Sequence, residues 1–279
     1  MDGKEIRISR IFNSESGKTV IVPIDHGLMM GSVEGLKDPV GILKKLMEHG
    51  IDATLMSAGI GKITSNLFIG RNTPARILTA DLPLISTIPG EFDRILSHEP
   101  VATVEYALRW NFDMVKVLLP WGTDGDVQAR SIRLIADFAN VCDKWNMPLM
   151  IEPVLWGERI PSDRRSDPKL VESAVRIALE LGADVIKMQY TGMKEEFSDI
   201  VKRLHVPVVV LGGPKMENIR DVLRVAKESV EAGAKGVVFG RNVWQNPRME
   251  DVLKALKDVV HRGADVDDVI EMYGLQQFQ

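Results

Sequence analysis

The stretch "DPKLVESAVRIALELGADVIKMQYTG", residues 167–192, decides the fold. Its first half reads as a helix with both ends marked. Asp167 and Pro168 take the N-cap and first helical positions, and Gly182 stands just past the last turn. Its second half is a run of apolar residues, Ala183, Val185, Ile186 and Met188, of the kind found in strands buried on both faces. One lysine, Lys187, interrupts that run. A buried strand is a costly place for an ammonium group, because desolvation disfavours the charged form. The stretch therefore poses a fold and a chemical question together.

Working outward, the same alternation recurs along the chain. Short apolar runs stand at 19–25 (TVIVPID), 53–57 (ATLMS), 82–87 (LPLIST), 114–120 (MVKVLLP), 148–154 (PLMIEPV), 184–190 (DVIKMQY), 207–213 (PVVVLGG) and 236–242 (GVVFGRN). Amphipathic stretches lie between them. Residues 35–50 place Leu36, Val40, Leu43 and Leu46 near helical spacing, and residues 215–233 end, like 167–182, in a glycine. Eight strand-then-helix units predict a (β/α)8 TIM barrel. The rival, a doubly wound open sheet, lacks its phosphate fingerprint here, since "PIDHGLMMG" after the first strand has the wrong glycine spacing. No linker divides the chain, so one domain is expected over 1–279, with the barrel at about 19–262 and a helical extension at 263–279. The longest irregular region is expected from about Gly59 to Pro74.

Composition narrows the function. The chain has 279 residues, is 45 % hydrophobic and carries a net charge of −4. Its basic residues are dispersed, without a basic cluster interleaved with aromatics, so no nucleic-acid partner is expected. The single cysteine, Cys142, falls in a predicted helix and reads as a small packed hydrophobe; it excludes an internal disulfide and a Cys-based zinc site. No apolar leader or spanning segment is visible, which predicts a cytoplasmic protein without a membrane partner. The histidines, His26, His49, His98, His205 and His261, show no H-x-H or H-E-x-x-H spacing. A catalytic zinc needs about three ligands, so neither a metal nor an organic cofactor is expected.

In a barrel the chemistry sits where strands end and loops to helices begin. Strand 1 ends in Asp25 and His26, strand 5 carries Glu152, strand 6 carries Lys187, strand 7 runs into Gly212, Gly213 and Lys215, and strand 8 into Gly240 and Arg241. The loops after strands 7 and 8 commonly bind phosphate. Glycines let the backbone approach the anion, and Arg241 adds a bidentate partner. The plainer reading makes these tight-turn glycines and a surface arginine. For Lys187 the choice is between a structural ion pair and a Schiff-base nucleophile, an amine that attacks a ketone when neutral. A hydroxyl proton would pass to Asp25. Strand parity sets Asp25 and His26 facing opposite ways, with Asp25 favoured as the inward one. Glu152, if inward, is a second acid–base group or the counter-ion of Lys187. Lys116, within the strand 4 run, is left open.

Four motifs, "SRIFNSESGKTVIVPIDHG", "GADVIKMQYTG", "VPVVVLGGPK" and "AGAKGVVFGRNVWQ", together resemble the archaeal-type class I fructose-bisphosphate aldolase group, and the resemblance extends over nearly the whole chain. That group also includes aminodideoxyheptulosonate synthases and the autoinducer-2 phosphate thiolase. The resemblance implies an aldehyde-lyase barrel, assembled as a decamer, that acts on a phosphorylated ketose or ketone. It implies Lys187 as the Schiff-base residue, Asp25 as a substrate-binding and proton-transfer residue, and Gly212, Gly213, Gly240 and Arg241 as the phosphate cradle.

One departure bears on the substrate. The aldolases and heptulosonate synthases carry a general-acid tyrosine in "Y-P-R-G" after strand 5, where this chain reads "EPVLWGER". The tyrosine position falls on Val154 or, two residues on, on Trp156. The thiolase lacks that tyrosine too and shares "RIFN…GKTV" and an extension like "VVHRGADVDDVIEMY". Acyl transfer to coenzyme A and a heptulosonate-forming transaldol reaction are therefore the alternatives to simple aldol cleavage. A non-catalytic phosphosugar-binding barrel is the alternative from another class.

Overall fold

The structure, a computed structural model, describes residues 3–276. Its strands are β1 (Thr19–Ile21), β2 (Ala53–Ser57), β3 (Ala75–Thr79), β4 (Asp81–Leu84), β5 (Ser97–Pro100), β6 (Met114–Pro120), β7 (Leu149–Val154), β8 (Val185–Met188), β9 (Val208–Leu211) and β10 (Gly236–Val238). Eight of them form a closed parallel barrel in the order β1-β10-β9-β8-β7-β6-β3-β2. The helices are α1 (Gly3–Ile11), α2 (Gly27–Met30), α3 (Pro39–Glu48), α4 (Ala58–Ile63), α5 (Val104–Arg109), α6 (Gly125–Lys144), α7 (Pro168–Glu180), α8 (Lys194–Leu204), α9 (Ile219–Glu231), α10 (Arg241–Trp244), α11 (Met249–Lys257) and α12 (Val266–Met272). None among the described residues is long and apolar enough to cross a membrane.

The helix signals act as their chemistry requires. The Asp167 side chain accepts from the N–H of Lys169 at the start of α7, with Pro168 at the first position; Asp38 and Pro39 do the same for α3. Gly182, past the end of α7, has φ +92°, a conformation open to glycine at no steric cost.

Alternation along the strands divides the interior into layers. Ile21, Leu55, Ile77, Met114, Met150, Val185 and Val209 point inward and fill the lower barrel, and Ile11 at the end of α1 packs against them. Their neighbours Val20, Met56, Leu78, Val115, Ile151 and Ile186 belong to the larger core under the helices. Burying each such side chain stabilises by about 1.5–3 kcal/mol. Two residues further along the inward face, the apolar filling gives way to polar groups: Met114 leads to Lys116, Met150 to Glu152, and Val185 to Lys187.

Three expectations are corrected. The run at 82–87 is not the third barrel strand. Residues 81–84 do form a strand, but β4 pairs antiparallel with β5 as a hairpin outside the barrel, and "ARILT" (75–79) takes the barrel position. Arg76 hides that strand in the sequence. Its backbone sits in the barrel wall while its guanidinium, at 4.7 and 4.3 Å from the ring centres of Phe68 and Phe112, donates to the carbonyls of Trp110 and Gly61. Residues 59–74 are not an irregular loop either, because α4 and a 3-10 turn at 65–68 occupy most of them, the former capped by the Ser57 hydroxyl. Strand 1 ends at Ile21, so Asp25 and His26 lie in the following loop, where strand parity no longer governs them.

The extension is helical as far as it is described; residues 277–279 of the expected segment lie outside the described residues. Val269, Ile270 and Leu275 are buried against the chain's own barrel, and the Tyr273 hydroxyl donates to Asp258 at 2.6 Å.

Candidate active site

Lys187 stands at the top of the barrel interior, 8 % exposed, with its Nζ 2.8 Å from Glu152 Oε1. The other carboxylate oxygen of Glu152 lies 2.9 Å from Lys116 Nζ. A carboxylate thus bridges two buried ammonium groups. Burial alone would raise the Glu152 pKa, but Lys116 and then Lys187 outweigh it and hold the group below the ordinary carboxylate range. Burial likewise opposes the charge on Lys116, yet Glu152, Asp81 and Asp25 together hold it protonated well above the usual lysine range.

Asp25 and His26 both line the same pocket, which corrects the expectation that only one points inward. Asp25 Oδ2 accepts a 2.6 Å hydrogen bond from Thr79 at the end of β3. Burial pushes its pKa up; His26, Lys116 and Lys187, with the Thr79 hydroxyl, bring it below the usual value. His26 is shifted the opposite way for a base: burial, helped by Lys187 and Arg241, lowers its pKa despite Asp25 and Glu152. Its ring is therefore neutral at pH 7, and the lasting cationic field on Asp25 comes from the two lysines. His26 Nδ1 sits 3.6 Å from Asp25 Oδ1, too far for a hydrogen bond, and the ring packs edge-on to Trp244 at 5.2 Å.

The glycine loops form one wall. Gly213 has φ +63°, a left-handed conformation, and a Cβ on Gly240 would lie 2.8 Å from the His26 ring. Arg241 Nη2 donates to the Gly213 carbonyl at 2.9 Å, which ties the two loops together. Asn242 fastens them more fully. Its amide donates to the carbonyls of Gly212 and Pro214 and accepts from the Met216 N–H. These groups surround a pocket of about 130 Å3 with Lys187, Lys116, Glu152, Asp25 and His26 on its walls.

A profile of the DeoC/LacD family aldolases matches residues 19–246. The chain belongs to the DeoC/LacD family of aldolases. It is 30 % identical over 273 residues to an aldolase of Saccharolobus solfataricus described as uncharacterized, covering 98 % of this chain and 99 % of that one. It is 30 % identical over 260 residues to the 2-amino-4,5-dihydroxy-6-oxo-7-(phosphonooxy)heptanoate synthase of Streptomyces griseus, covering 92 % and 90 %. An archaeal fructose-1,6-bisphosphate aldolase, solved with its catalytic lysine bound to the carbinolamine intermediate of its substrate, superposes with a TM-score of 0.79 at 28 % identity, covering 93 % of this chain and all of that one.

In this aldolase the structure gathers Lys187, Glu152, Asp25, His26, Gly212, Gly213, Gly240 and Arg241 around one pocket. Lys215 stands apart. It is exposed, its Nζ is 3.3 Å from the Gln245 carbonyl, and it lines the outer mouth instead. Tyr190, beyond the end of β8, is not on the wall of the Lys187 pocket, and its hydroxyl donates to Glu228 at 2.9 Å. Cys142 is buried, and burial pushes its thiol up to about 12. Lys116, whose orientation the sequence leaves open, points into the pocket, and three residues escape the sequence reading: Thr79 and Asp81 on the pocket wall and His98 behind Asp81. Lys116 repeats the pattern of an inward apolar residue followed two positions on by a charge, as in Met150–Glu152 and Val185–Lys187, and that repetition could have found it. Thr79 lies on the strand that was misplaced. Asp81 and His98 come from the hairpin β4–β5: Asp81 Oδ2 is 2.7 Å from His98 Nε2 and accepts from the N–H of Leu118, while the residue also lines the pocket. Only the three-dimensional pairing brings those two together.

Proposed function

We propose that this aldolase works through a Schiff base on Lys187 and makes or breaks a carbon–carbon bond in a phosphorylated ketose. The observation that carries the reading is the 2.8 Å contact between Lys187 and the ionised Glu152 inside a pocket that also holds Asp25 and the two glycine loops. The substrate phosphate lies against Gly212, Gly213, Gly240 and Arg241. Glu152 takes a proton from the lysine ammonium, and the neutral amine attacks the ketone carbonyl. Loss of water leaves an iminium. In the cleavage direction Asp25, a carboxylate in the free enzyme, takes the proton of the hydroxyl beta to the iminium carbon. The carbon–carbon bond breaks, the aldehyde leaves, and the electron pair settles on the enamine. A proton returned to the enamine carbon and hydrolysis of the iminium then release the ketone and restore the amine. The position of the family tyrosine is held by Val154 or Trp156, neither of which exchanges a proton. Asp25, Glu152 and the neutral His26 serve as the acid–base groups on the pocket wall, where the remaining carboxylate, Asp81, is engaged by His98 and the Leu118 N–H.

The homo-oligomer implied by the resemblance, a decamer, is part of this proposal. Met272 on α12, 69 % exposed, and Ile69, 82 % exposed, are large apolar side chains that such an assembly would cover. Light scattering on the eluting protein measures the mass.

The experiment for the chemistry is borohydride reduction followed by intact-protein and peptide mass spectrometry. Dihydroxyacetone phosphate, fructose 1,6-bisphosphate and a phosphorylated pentanedione are offered separately. A stable adduct on Lys187 supports the Schiff base, and the ketone that gives it most readily ranks aldol cleavage against acyl transfer to coenzyme A. Phosphosugar binding without any adduct overturns the lysine reading in favour of a binding protein.

A further inference from the structure

The pocket around Lys187 opens into a chamber of about 740 Å3. Met29, Met30, Trp156, Gly212, Gly213 and Arg241 line both, so the two spaces are continuous. Any second reactant that meets a carbon held on Lys187 has this chamber as its place. Its walls are unlike those of a sugar site. Ile85, Phe92, Met216 and Val225 extend the apolar surface of Met29, Met30 and Trp156, and Phe92 is 55 % exposed. An aromatic ring left in water on the wall of a chamber that opens onto the Lys187 pocket is informative in a way that a scattered surface residue is not.

The polar groups of the wall are few, and several are occupied. Tyr190 donates to Glu228, and the Gln189 amide donates to the Arg165 carbonyl. The charged ones, Arg165, Lys215 and Arg241, are all cationic, and no carboxylate is among the described residues that line the chamber. Arg165 and Arg241 each keep a buried Nε without a protein partner, and Arg165 has the longer of their two side-chain bonds. That bond runs 3.4 Å to the Trp156 carbonyl. A buried donor without a partner is costly, and an anion arriving beside it removes that cost. A polyhydroxylated aldehyde would set its hydroxyls against methionine and aromatic carbon and lose the hydrogen bonds it made in water.

We infer that the chamber is the subsite of the second reactant, and that this reactant is an aldehyde with an apolar body and an anionic end, the end held by Arg165 and the body by Phe92, Met216 and Trp156. The inference rests on the Schiff-base reading above. In the bond-forming direction the donor ketone, as its iminium, loses a proton to give the enamine. The enamine carbon attacks the aldehyde carbon. The electron pair of the C=O bond moves to oxygen, which takes one proton, and water hydrolyses the iminium to free Lys187. No oxidant or reductant is consumed.

Two measurements on the full chain separate the subsite from the lysine chemistry. In the first, 4-phenylbutyrate and gluconate, both singly charged carboxylates, are titrated calorimetrically with inorganic phosphate saturating. The expected result is binding of 4-phenylbutyrate about tenfold tighter than gluconate, in the range that apolar pockets discriminate. Phe92→Ser and Arg165→Gln are each expected to weaken it about fivefold, by loss of apolar contact and of the charge-assisted hydrogen bond. Equal or tighter binding of gluconate, insensitivity to both substitutions, or tighter binding of desulfo-coenzyme A overturns the inference. In the second, dihydroxyacetone phosphate is the donor, and 4-formylbenzoate is expected to react with a kcat/KM about tenfold above that of glyceraldehyde 3-phosphate; the reverse order overturns the inference. Borohydride adducts of the donor are counted in the same samples. If the wild type forms none, the Schiff-base reading falls, while the titration still decides what the chamber binds.

Discussion

Lys187 and Glu152 meet at 2.8 Å in the barrel interior, and the same carboxylate holds Lys116 at 2.9 Å. One negative charge is thus shared by two ammonium groups, and among the described residues no other carboxylate is within ion-pair distance of either. Glu152→Gln keeps the shape and removes the charge. Breaking a buried pair from one side costs about 3–5 kcal/mol, because the remaining charge is left uncompensated. Here two like charges remain. Thermal or denaturant unfolding of E152Q is expected to show a loss of that size. Formation of the borohydride-trapped adduct is expected to slow by about 10²–10⁴-fold, the usual contribution of a general base. An adduct that forms at the wild-type rate would mean that Glu152 is only a structural counter-ion.

Lys116 acts on the reaction from one residue away. With Lys116→Met, Glu152 serves Lys187 alone, and an opposite charge that is no longer shared favours the ammonium form of its partner. The acid limb of the pH–rate profile for adduct formation is therefore expected to move to higher pH in K116M. The rate at neutral pH should fall, by about tenfold for each pH unit that the profile moves. A profile that stays in place while the rate drops would assign Lys116 to substrate contact instead.

Most of this arrangement was legible in the sequence because it lies on repeating units. The helix ends at Asp167 and Gly182, the apolar runs and the charged residue on the inward face of β7 and β8 are local signals, and the barrel follows from their repetition. What the sequence hid depends on partners distant along the chain. β3 was missed because Arg76 looks polar until Phe68 and Phe112 enclose it. β4 was misassigned because an apolar run does not say whether its partner is a barrel strand or a hairpin. Asp25 and His26 were separated by a parity rule that ceases to apply once β1 ends at Ile21.

Asn242 holds the phosphate-loop candidates together without lining the pocket itself. Its amide donates to Gly212 and Pro214 and accepts from Met216, each at 2.8–3.3 Å. Asn242→Ala frees the loop after β9 from α10. Misplacing a positioned anion cradle is expected to raise KM for a phosphorylated ketone by about 10–100-fold. Borohydride trapping of unphosphorylated dihydroxyacetone on Lys187 should change little by comparison. Equal losses with both ketones would make Asn242 a general structural clip rather than a support of phosphate binding.

Stability should decline on acidification through the same groups. Asp25 and Glu152 bind protons less readily in the folded protein than in the unfolded chain, so their contribution is complete above the ordinary carboxylate range and is lost as pH falls through their folded values. His26, also lowered, adds to the same slope between its folded value and the 6.5 of a free histidine. Melting temperatures taken from pH 7 down to pH 3 are expected to fall, with Asp25→Asn flattening the lower part of the curve and His26→Gln the upper part. Unchanged slopes in both variants would place the acid sensitivity elsewhere.

Across the hairpin β4–β5, His98 and Asp81 meet at 2.7 Å with both side chains wholly buried, and Asp81 in turn ties the hairpin to barrel strand β6. Asp81 Oδ2 also accepts the Leu118 N–H, while Oδ1 has no protein partner. The pair therefore does two things at once. It joins β5 to β4, and it holds a carboxyl group on the pocket wall near Lys116. His98→Leu removes one side and leaves Asp81 with backbone alone, which should cost about 1–3 kcal/mol, the penalty for a buried polar atom left unpaired. The double-mutant cycle through Asp81→Asn and the combined variant is expected to give a coupling of about 1–3 kcal/mol, as contacting residues in one network do. The structural part of the pair shows in that coupling. Its influence on Lys116 shows separately, as a displaced pH profile for adduct formation in D81N that H98L alone does not produce. A coupling near zero would mean that the two groups are neighbours held by the hairpin's backbone and not by each other.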